Sequence, residues 1–378
     1  MKPNFLSRLL LVVCGLIAIF IISCKQGTNN TQELKIGVIF PLTGENASYG
    51  EKGQKAINMA LEDVNRRSVV NSKKVSVIYE DSRAEAKTGA TAIQKLIDID
   101  HVSAVIGDIV SAVTLAAAPI AERNQVVLLS PTSSAPTITD AGQFIYRIWP
   151  SDLAEGNAVA EFARNKGYKR PAILHLNNDY GLAIAKIFKE NFEIGDARVI
   201  FQEGYLETTS DYRSILTKLT KANPDVLYVA GYFGDTARIL KQARELGNKS
   251  QFLGTTAIED NKFLEIAGNA AEGIMYPLAT GFDPKSKEPE VTKFVNGFQK
   301  KYGYEPAWVE AQSYDAFMLI YNAANSIEGK TDGLKIKRFF DSMGEFVGVT
   351  GKFKFDQNGD VSKPVFFKTI RDGKFQAL

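Results

Sequence analysis

Apolar residues along this chain fall into two alternating patterns: short unbroken runs, and longer stretches with a period near 3.6 residues. Leu34 to Phe40, Val75 to Glu80, Ala104 to Gly107 and Val126 to Leu129 are short runs with the density of strands buried on both faces. Between the first two, Ile57, Ala60, Leu61 and Val64 mark one face of a helix, after a loop that ends in Tyr49-Gly50. Between the second and third, Ala86, Ala90, Ile93 and Ile97 mark another. Tyr146 to Asp152 interrupts this order, and the alternation then restarts. Strands are expected at Pro171 to Leu176, Val199 to Gly204, Asp225 to Ala230, Phe252 to Thr256 and Gly273 to Pro277, the last two closing a second sheet. Strands separated by amphipathic helices pair in parallel through right-handed crossovers. The fold class is therefore α/β, with a similar parallel sheet flanked by helices written twice. Glu288 to Ser326 reads as two helices split at Gly303 to Pro306 that pack back on the first sheet. The tail has a turn at Asp356 to Asp360 and a last strand pair around Val365 to Phe375. That turn lacks the terminal Glu of a calcium loop and reads as a hairpin turn.

The stretch Ala104 to Ala135 carries the clearest candidate chemistry. A strand turns through Gly107 and Asp108 into an Ala-rich helix that opens at Ser111-Ala112, and the connector Glu122 to Gln125 leads to the next strand. That strand ends in Ser130-Pro131-Thr132-Ser133-Ser134. Two neighbouring strands thus deliver hydroxyls at their carboxyl ends, where open α/β sheets bind ligands. No Lys or Arg lies between Ala104 and Glu122, so an anion there would be met by free helix N–H groups and the dipole. This suits a carboxylate better than a polyphosphate. Read from these residues alone, Ser111 is equally a helix cap and Thr132 to Ser134 equally a polar loop.

At the amino terminus, Lys2 and Arg8 precede an uncharged run from Leu9 to Ser23, shorter than the ~20 residues of a membrane span. It reads as a secretory signal peptide over residues 1–23. Its end, Ile21-Ile22-Ser23-Cys24, resembles a bacterial lipobox, which makes Cys24 the expected lipidated first residue of the mature chain. Residues 24–33 then form a lipid-anchored tether. Lys2 and Arg8 account for the whole excess of 45 basic over 43 acidic residues, so the mature chain offers no electrostatic case for nucleic acid or an anionic membrane surface. Cys14 lies in the leader, which leaves no disulfide framework and no cysteine metal cluster.

Catalytic signatures are missing: there is no G-x-S-x-G, P-loop, H-E-x-x-H or G-x-G-x-x-G, and no cofactor or metal is expected. The only histidines are His101, beside Asp98 and Asp100 at a helix end, and His175, inside an expected strand.

Read together, Pro41-Leu42-Thr43-Gly44, Tyr49-Gly50, Asn65, Asp81, Gly107 with Ser111, and Ser130-Pro131 resemble the leucine/isoleucine/valine-binding family of periplasmic solute receptors for ABC importers. The match continues through Arg147 with Pro150-Ser151-Asp152, Tyr180-Gly181, Tyr314-Asp315-Ala316 and Thr350-Gly351, over the chain from Leu34 onward. The resemblance implies a type I two-lobed periplasmic binding protein. Lobe 1 would hold residues 34–148 with 278–361, and lobe 2 residues 149–277 with 362–378. Three crossovers, near Arg147 to Ser151, Tyr276 to Leu278 and Ser362 to Pro364, would form the hinge. By position, Ser111 would bind a carboxylate through its hydroxyl and backbone N–H, with Ala112 beside it. Thr132 would offer its carbonyl to an ammonium, and Ser133 and Ser134 would serve the polar head, Ser134 through hydroxyl and N–H. Tyr49 would come from the first loop, and Tyr180 and Tyr232 from the opposing lobe.

The resemblance has one departure. The family's acidic partner for the ammonium falls at Thr256, which leaves Glu259 and Asp260 close by as substitutes and Asp108 or Asp235 as carboxylates that could approach the cleft. Unpaired, a buried ammonium is costly. Amides, urea-like solutes and aliphatic or aromatic acids stay open as ligands beside amino acids. The implied role is a lipid-anchored extracytoplasmic receptor that delivers a branched-chain or related amino acid to an ABC permease in the inner membrane. A sensory receptor feeding a signalling partner is the alternative, and a secreted enzyme is disfavoured. Ser111→Ala is expected to weaken binding while leaving the empty protein's stability nearly unchanged.

Overall fold

The strand β1 (Leu34–Phe40) is the first of five, four with side chains almost all buried, as the unbroken apolar runs require, and one, an edge strand, half-buried. In this computed structural model residues 33–66 and 74–378 are described, and the expected signal peptide, Cys24 and most of the tether lie outside them. β1 is followed by α1 (Ala47–Arg66), β2 (Val75–Asp81), α2 (Ala86–Asp98), β3 (Ala104–Gly107), α3 (Ser111–Asn124), β4 (Val127–Ser130) and β5 (Ile145–Arg147). The strands pair in parallel in the order β2-β1-β3-β4-β5. β1 lies between β2 and β3, so the connections leave it in opposite directions and open a crevice at the carboxyl ends of β1 and β3.

The second sheet begins after α4 (Asp152–Asn165) and takes β6 (Pro171–Leu176), α5 (Asp179–Phe192), β7 (Phe201–Tyr205), α6 (Arg213–Ala222), β8 (Val226–Ala230), α7 (Phe233–Glu245) and β9 (Gln251–Leu253). Then come α8 (Asn261–Ala267) and β10 (Met275–Leu278). Its parallel part runs β10-β9-β8-β6-β7, and its own reversal lies between β6 and β8. The sheet does not close at β10. The carboxyl-terminal hairpin β13 (Phe366–Arg371) and β14 (Lys374–Ala377) extends it, β13 pairing antiparallel with β10.

Between β10 and that hairpin, α9 (Pro289–Tyr302) and α10 (Trp308–Ser326) return to the first sheet, and α10 packs on α1. They are followed by α11 (Gly333–Ser342) and the short pair β11 (Phe346–Gly348) and β12 (Gly351–Phe353). The chain passes between the sheets three times: after β5, after β10 and between β12 and β13. Tyr276 to Leu278 lie inside β10, so the second passage follows them at residues 279–288.

Several boundaries differ from the pattern reading. Tyr49 and Gly50 belong to the start of α1, because the helix begins at Ala47 with no hydrophobic stripe yet in place to announce it. α3 continues through the polar connector to Asn124 and ends at Gln125 in a left-handed conformation. Strand β9 stops at Leu253, and Thr256 opens a short 3-10 turn. Asp356 to Asp360 is a tight turn, with the Asp356 carboxylate accepting from the amides of Asn358 and Asp360. It joins no hairpin, because β12 pairs back to β11; it instead presents Asp360 to the fully buried guanidinium of Arg147.

Candidate ligand-binding site

The two crevices face each other, and one cleft enclosing about 390 Å³ of empty space, part of it open to solvent, lies between them. From the first sheet come Tyr49 after β1, Ile109 and Ser111 after β3, and Thr132 and Ser134 after β4. From the second come Tyr180 after β6, Tyr232 after β8, and Thr256 with Ala257 after β9. Trp149 of the first passage, Glu155 of α4 and Trp308 of α10 complete the lining.

The turn after β3 is made by Gly107 at φ +143°, where a Cβ would sit 2.4 Å from the Ile39 carbonyl oxygen. It sends the chain into α3, whose first amides have no partner inside the helix. Val110 occupies the N-cap without a side-chain bond, and its carbonyl takes the amides of Val113 and Thr114. The amides of Ser111 and Ala112 are the next donors of that first turn, and neither Lys, Arg nor His lines the cleft. The Ser111 hydroxyl oxygen accepts from the amides of Ser134 and Ala135, both at 3.2 Å. With its lone pairs so occupied, its proton is left for the cleft.

Four expectations change at these residues. Ser134 N–H is committed to Ser111, so Ser134 has only its hydroxyl for a ligand. Ser133 does not line the cleft: its hydroxyl meets the Asp108 carbonyl at 2.9 Å and Thr114 Oγ1 at 2.8 Å, knitting the two loops together from beneath. Ala112 is likewise absent from the lining and is represented by its helix position alone. Because Ser111 satisfies two buried amides, its truncation also lowers the stability of the empty protein.

Aromatic rings form the opposite wall. Tyr180 stacks on Tyr232 with centroids 5.3 Å apart, and Tyr49 lies edge-on to Tyr232 at 6.4 Å. Trp308 packs on Trp149 at 4.9 Å and on Tyr49 at 6.0 Å. Several contacts join the two halves: Tyr49 OH donates to the Ala257 carbonyl, and Trp308 Nε1 to the Glu259 carbonyl at 3.2 Å. Lys52 and Ser48 reach Asp260 at 2.7 and 2.8 Å, and Arg238 reaches Glu45 at 2.5 Å.

None of the four carboxylates offered as the ammonium's partner lines the cleft. Glu259 pairs with Lys368 at 2.5 Å, Asp260 with Lys52, and Asp235 accepts from Tyr205. Asp108 accepts from the Val110 amide beneath the cleft, and burial pushes its carboxyl up to about 7. The carboxylate that does line it is Glu155, one turn into α4, held by the Thr256 amide at 3.0 Å and the Thr256 hydroxyl at 2.7 Å. A sign was present in the sequence: Asp152, Glu155, Gly156, Val159, Ala160 and Ala163 share the buried stripe of α4, so two acids sit where apolar residues belong.

The periplasmic binding protein family model matches residues 33–374. The chain belongs to this family. Among curated members, it is 28% identical to Leu/Ile/Val-binding protein homolog 2 of Brucella abortus, over 96% of each chain. It is 29% identical to the leucine-, isoleucine-, valine-, threonine- and alanine-binding protein of Pseudomonas aeruginosa, over 87% of each. The crystal structure of a leucine-binding protein from Thermotoga maritima matches at TM-score 0.85 and 32% identity, covering 91% of this chain and 97% of that one. A branched-chain amino acid transporter substrate-binding protein from Streptococcus pneumoniae, solved with isoleucine, matches at TM-score 0.84 and 26% identity, covering 92% and 98%. Family membership places the chain among solute-binding components of ABC importers, working outside the cytoplasm, of the branched-chain amino acid type.

Proposed function

We propose that this chain is a non-catalytic receptor that encloses one branched-chain or related amino acid between its two lobes and presents it to an ABC permease. A lipid on Cys24 would tether it to the membrane. One observation carries the reading: two sheet crevices face each other across a single cleft, with hydroxyls and a helix amino terminus on one side and stacked tyrosines on the other. The carboxylate end of the ligand would lie at Ser111 and the first amides of α3, where dipole and hydrogen bonds replace a cation. Thr132 and Ser134 would hold the polar head from the next strand end. The aliphatic side chain would pack among Tyr49, Ile109, Trp149 and Trp308, and Tyr180 and Tyr232 would cover it. Branched-chain ligands of the relatives support this choice.

Calorimetry of the delipidated protein against a panel of amino acids tests the reading, with isoleucine, leucine or valine expected to bind. Ser111→Ala should weaken that binding by about 1–3 kcal/mol and lower the urea midpoint of the empty protein as well. Absence of binding across the whole panel would overturn the amino-acid assignment.

A further inference from the structure

Resting on the amino-acid reading above, we propose that Glu155 receives the ligand's ammonium group and gives up a proton to do so, with Thr256 as its switchable hydrogen-bond partner. Glu155 is 3% exposed and lines the cleft, yet no lysine, arginine or histidine among the described residues faces it. Its two oxygens accept from the amide and hydroxyl of one residue, Thr256. A buried carboxylate with hydrogen bonds and no counter-ion is incomplete, and the missing partner is a cation. The cleft that Glu155 lines gives a cation access to it.

The Thr256 hydroxyl is also 3.0 Å from the Pro277 carbonyl oxygen. A hydroxyl has one proton, so it donates either to Glu155 or to Pro277. When Glu155 is ionised, Thr256 donates to it. When Glu155 is protonated, the acid proton goes to Thr256 Oγ1 and Thr256 turns its own to Pro277. Both protonation states are therefore satisfied without moving the backbone. Burial pushes the Glu155 carboxyl up to about 7, against the opposing pull of the two Thr256 hydrogen bonds.

The surrounding groups leave Glu155 as the one that exchanges. Asp152, on the same turn of α4, is 1% exposed, with the Ser134 hydroxyl directed at its carboxyl. Burial first and the nearby Glu155 second push the Asp152 carboxyl well above the ordinary carboxylate range, against the opposing pull of Ser134 and Arg147. Arg147 is already committed to Asp360 and to the carbonyls of Ser134 and Ala135. Tyr180 of α5 and Tyr228 of β8, which also face the pair, stay protonated because burial raises both.

An acid carried on α4 takes over the part that the family pattern gives to position 256, and Thr256 becomes the residue that holds it. Ligands without an ammonium group, including aliphatic and aromatic acids, would forgo the ion pair with Glu155 and gain nothing from its ionisation. The site thereby selects zwitterions, and it binds them by exchanging a proton for an ammonium group.

Calorimetry with isoleucine and with 3-methylpentanoate, which is isoleucine without its amino group, tests this. For the wild type, isoleucine affinity should rise about tenfold per unit as pH climbs toward 7 and level off above it, with about one proton released per ligand near pH 6. The 3-methylpentanoate should bind far more weakly and show no such rise. Glu155→Gln keeps an acceptor for the Thr256 amide but not the charge. At pH 8 it should weaken isoleucine by about thirtyfold or more, abolish the proton release and erase the preference over 3-methylpentanoate. Isoleucine binding by the wild type without proton release, or equal affinity in Glu155→Gln, would overturn the assignment of Glu155 while leaving the receptor reading intact. If the wild type binds no amino acid, the receptor reading fails, and this inference with it.

Discussion

Replacing Arg147 with alanine is expected to lower the unfolding free energy by about 3–5 kcal/mol, because it strips a buried charge network of its centre. The guanidinium is fully buried at the end of β5 and spends its donors in a fixed fork. Nε and Nη2 bind the two oxygens of Asp360 at 2.6 and 2.7 Å, and Nη1 binds the carbonyls of Ser134 and Ala135 at 3.0 and 2.9 Å. Nη2 also reaches Thr139 Oγ1 at 2.7 Å. The same side chain therefore ties the first interlobe passage to the third and props the loop that carries Thr132 and Ser134. Urea denaturation of the empty protein measures the loss. Arg147→Lys should recover little of it, since an ammonium cannot supply the planar fork. Wild-type stability in Arg147→Ala would mean that the network contributes nothing net.

The second large effect is expected at Trp308, but mainly on binding. Its ring joins Trp149 to Tyr49, and its indole N–H reaches across to the Glu259 carbonyl. Truncation of a buried aromatic to alanine costs about 3–5 kcal/mol. The ring lines the cleft and its indole hydrogen bond is the contact that crosses between the halves, so part of the loss falls on the closed form. Trp308→Ala should weaken isoleucine binding on the order of a hundredfold, and small-angle scattering should show the empty variant to be more open than the wild type. An unchanged affinity would place Trp308 outside the closing contacts.

Most of the architecture was readable because buried strands and amphipathic helices announce themselves by period. The runs at Leu34, Ala104 and Pro171 became strands within a residue or two. Boundaries failed where capping and tertiary contact, not pattern, decide them: α1 begins before its stripe, and β9 ends early in favour of the 3-10 turn at Thr256. That β13 would pair with β10 and carry the second sheet onward depends on contacts about 90 residues apart, which no local pattern encodes.

At the cleft, hydroxyls at strand ends were legible as a place for an anion, and Tyr49, Ser111, Thr132, Ser134, Tyr180, Tyr232 and Thr256 all line the same space. Ser133 was misplaced because alternate residues of a tight loop face opposite ways, and its hydroxyl turns under toward Asp108. Glu155 was missed for a different reason. Following the N-cap Ser151, an acid in the first turn of a helix reads as a complement to the dipole, and the eye passes over it. Only its place on the buried stripe distinguishes it. Trp149 and Trp308 come from the first passage and from α10, and no strand-end hydroxyl pattern marks either as part of the cleft.

A crystal structure grown with isoleucine tests the central claim most directly. The ligand should lie enclosed between the two sheets, with its carboxylate about 2.7–3.2 Å from the Ser111 hydroxyl and the first amides of α3, and with no lysine or arginine beside it. A carboxylate paired to a basic side chain, or isoleucine bound anywhere outside the cleft, would contradict the account.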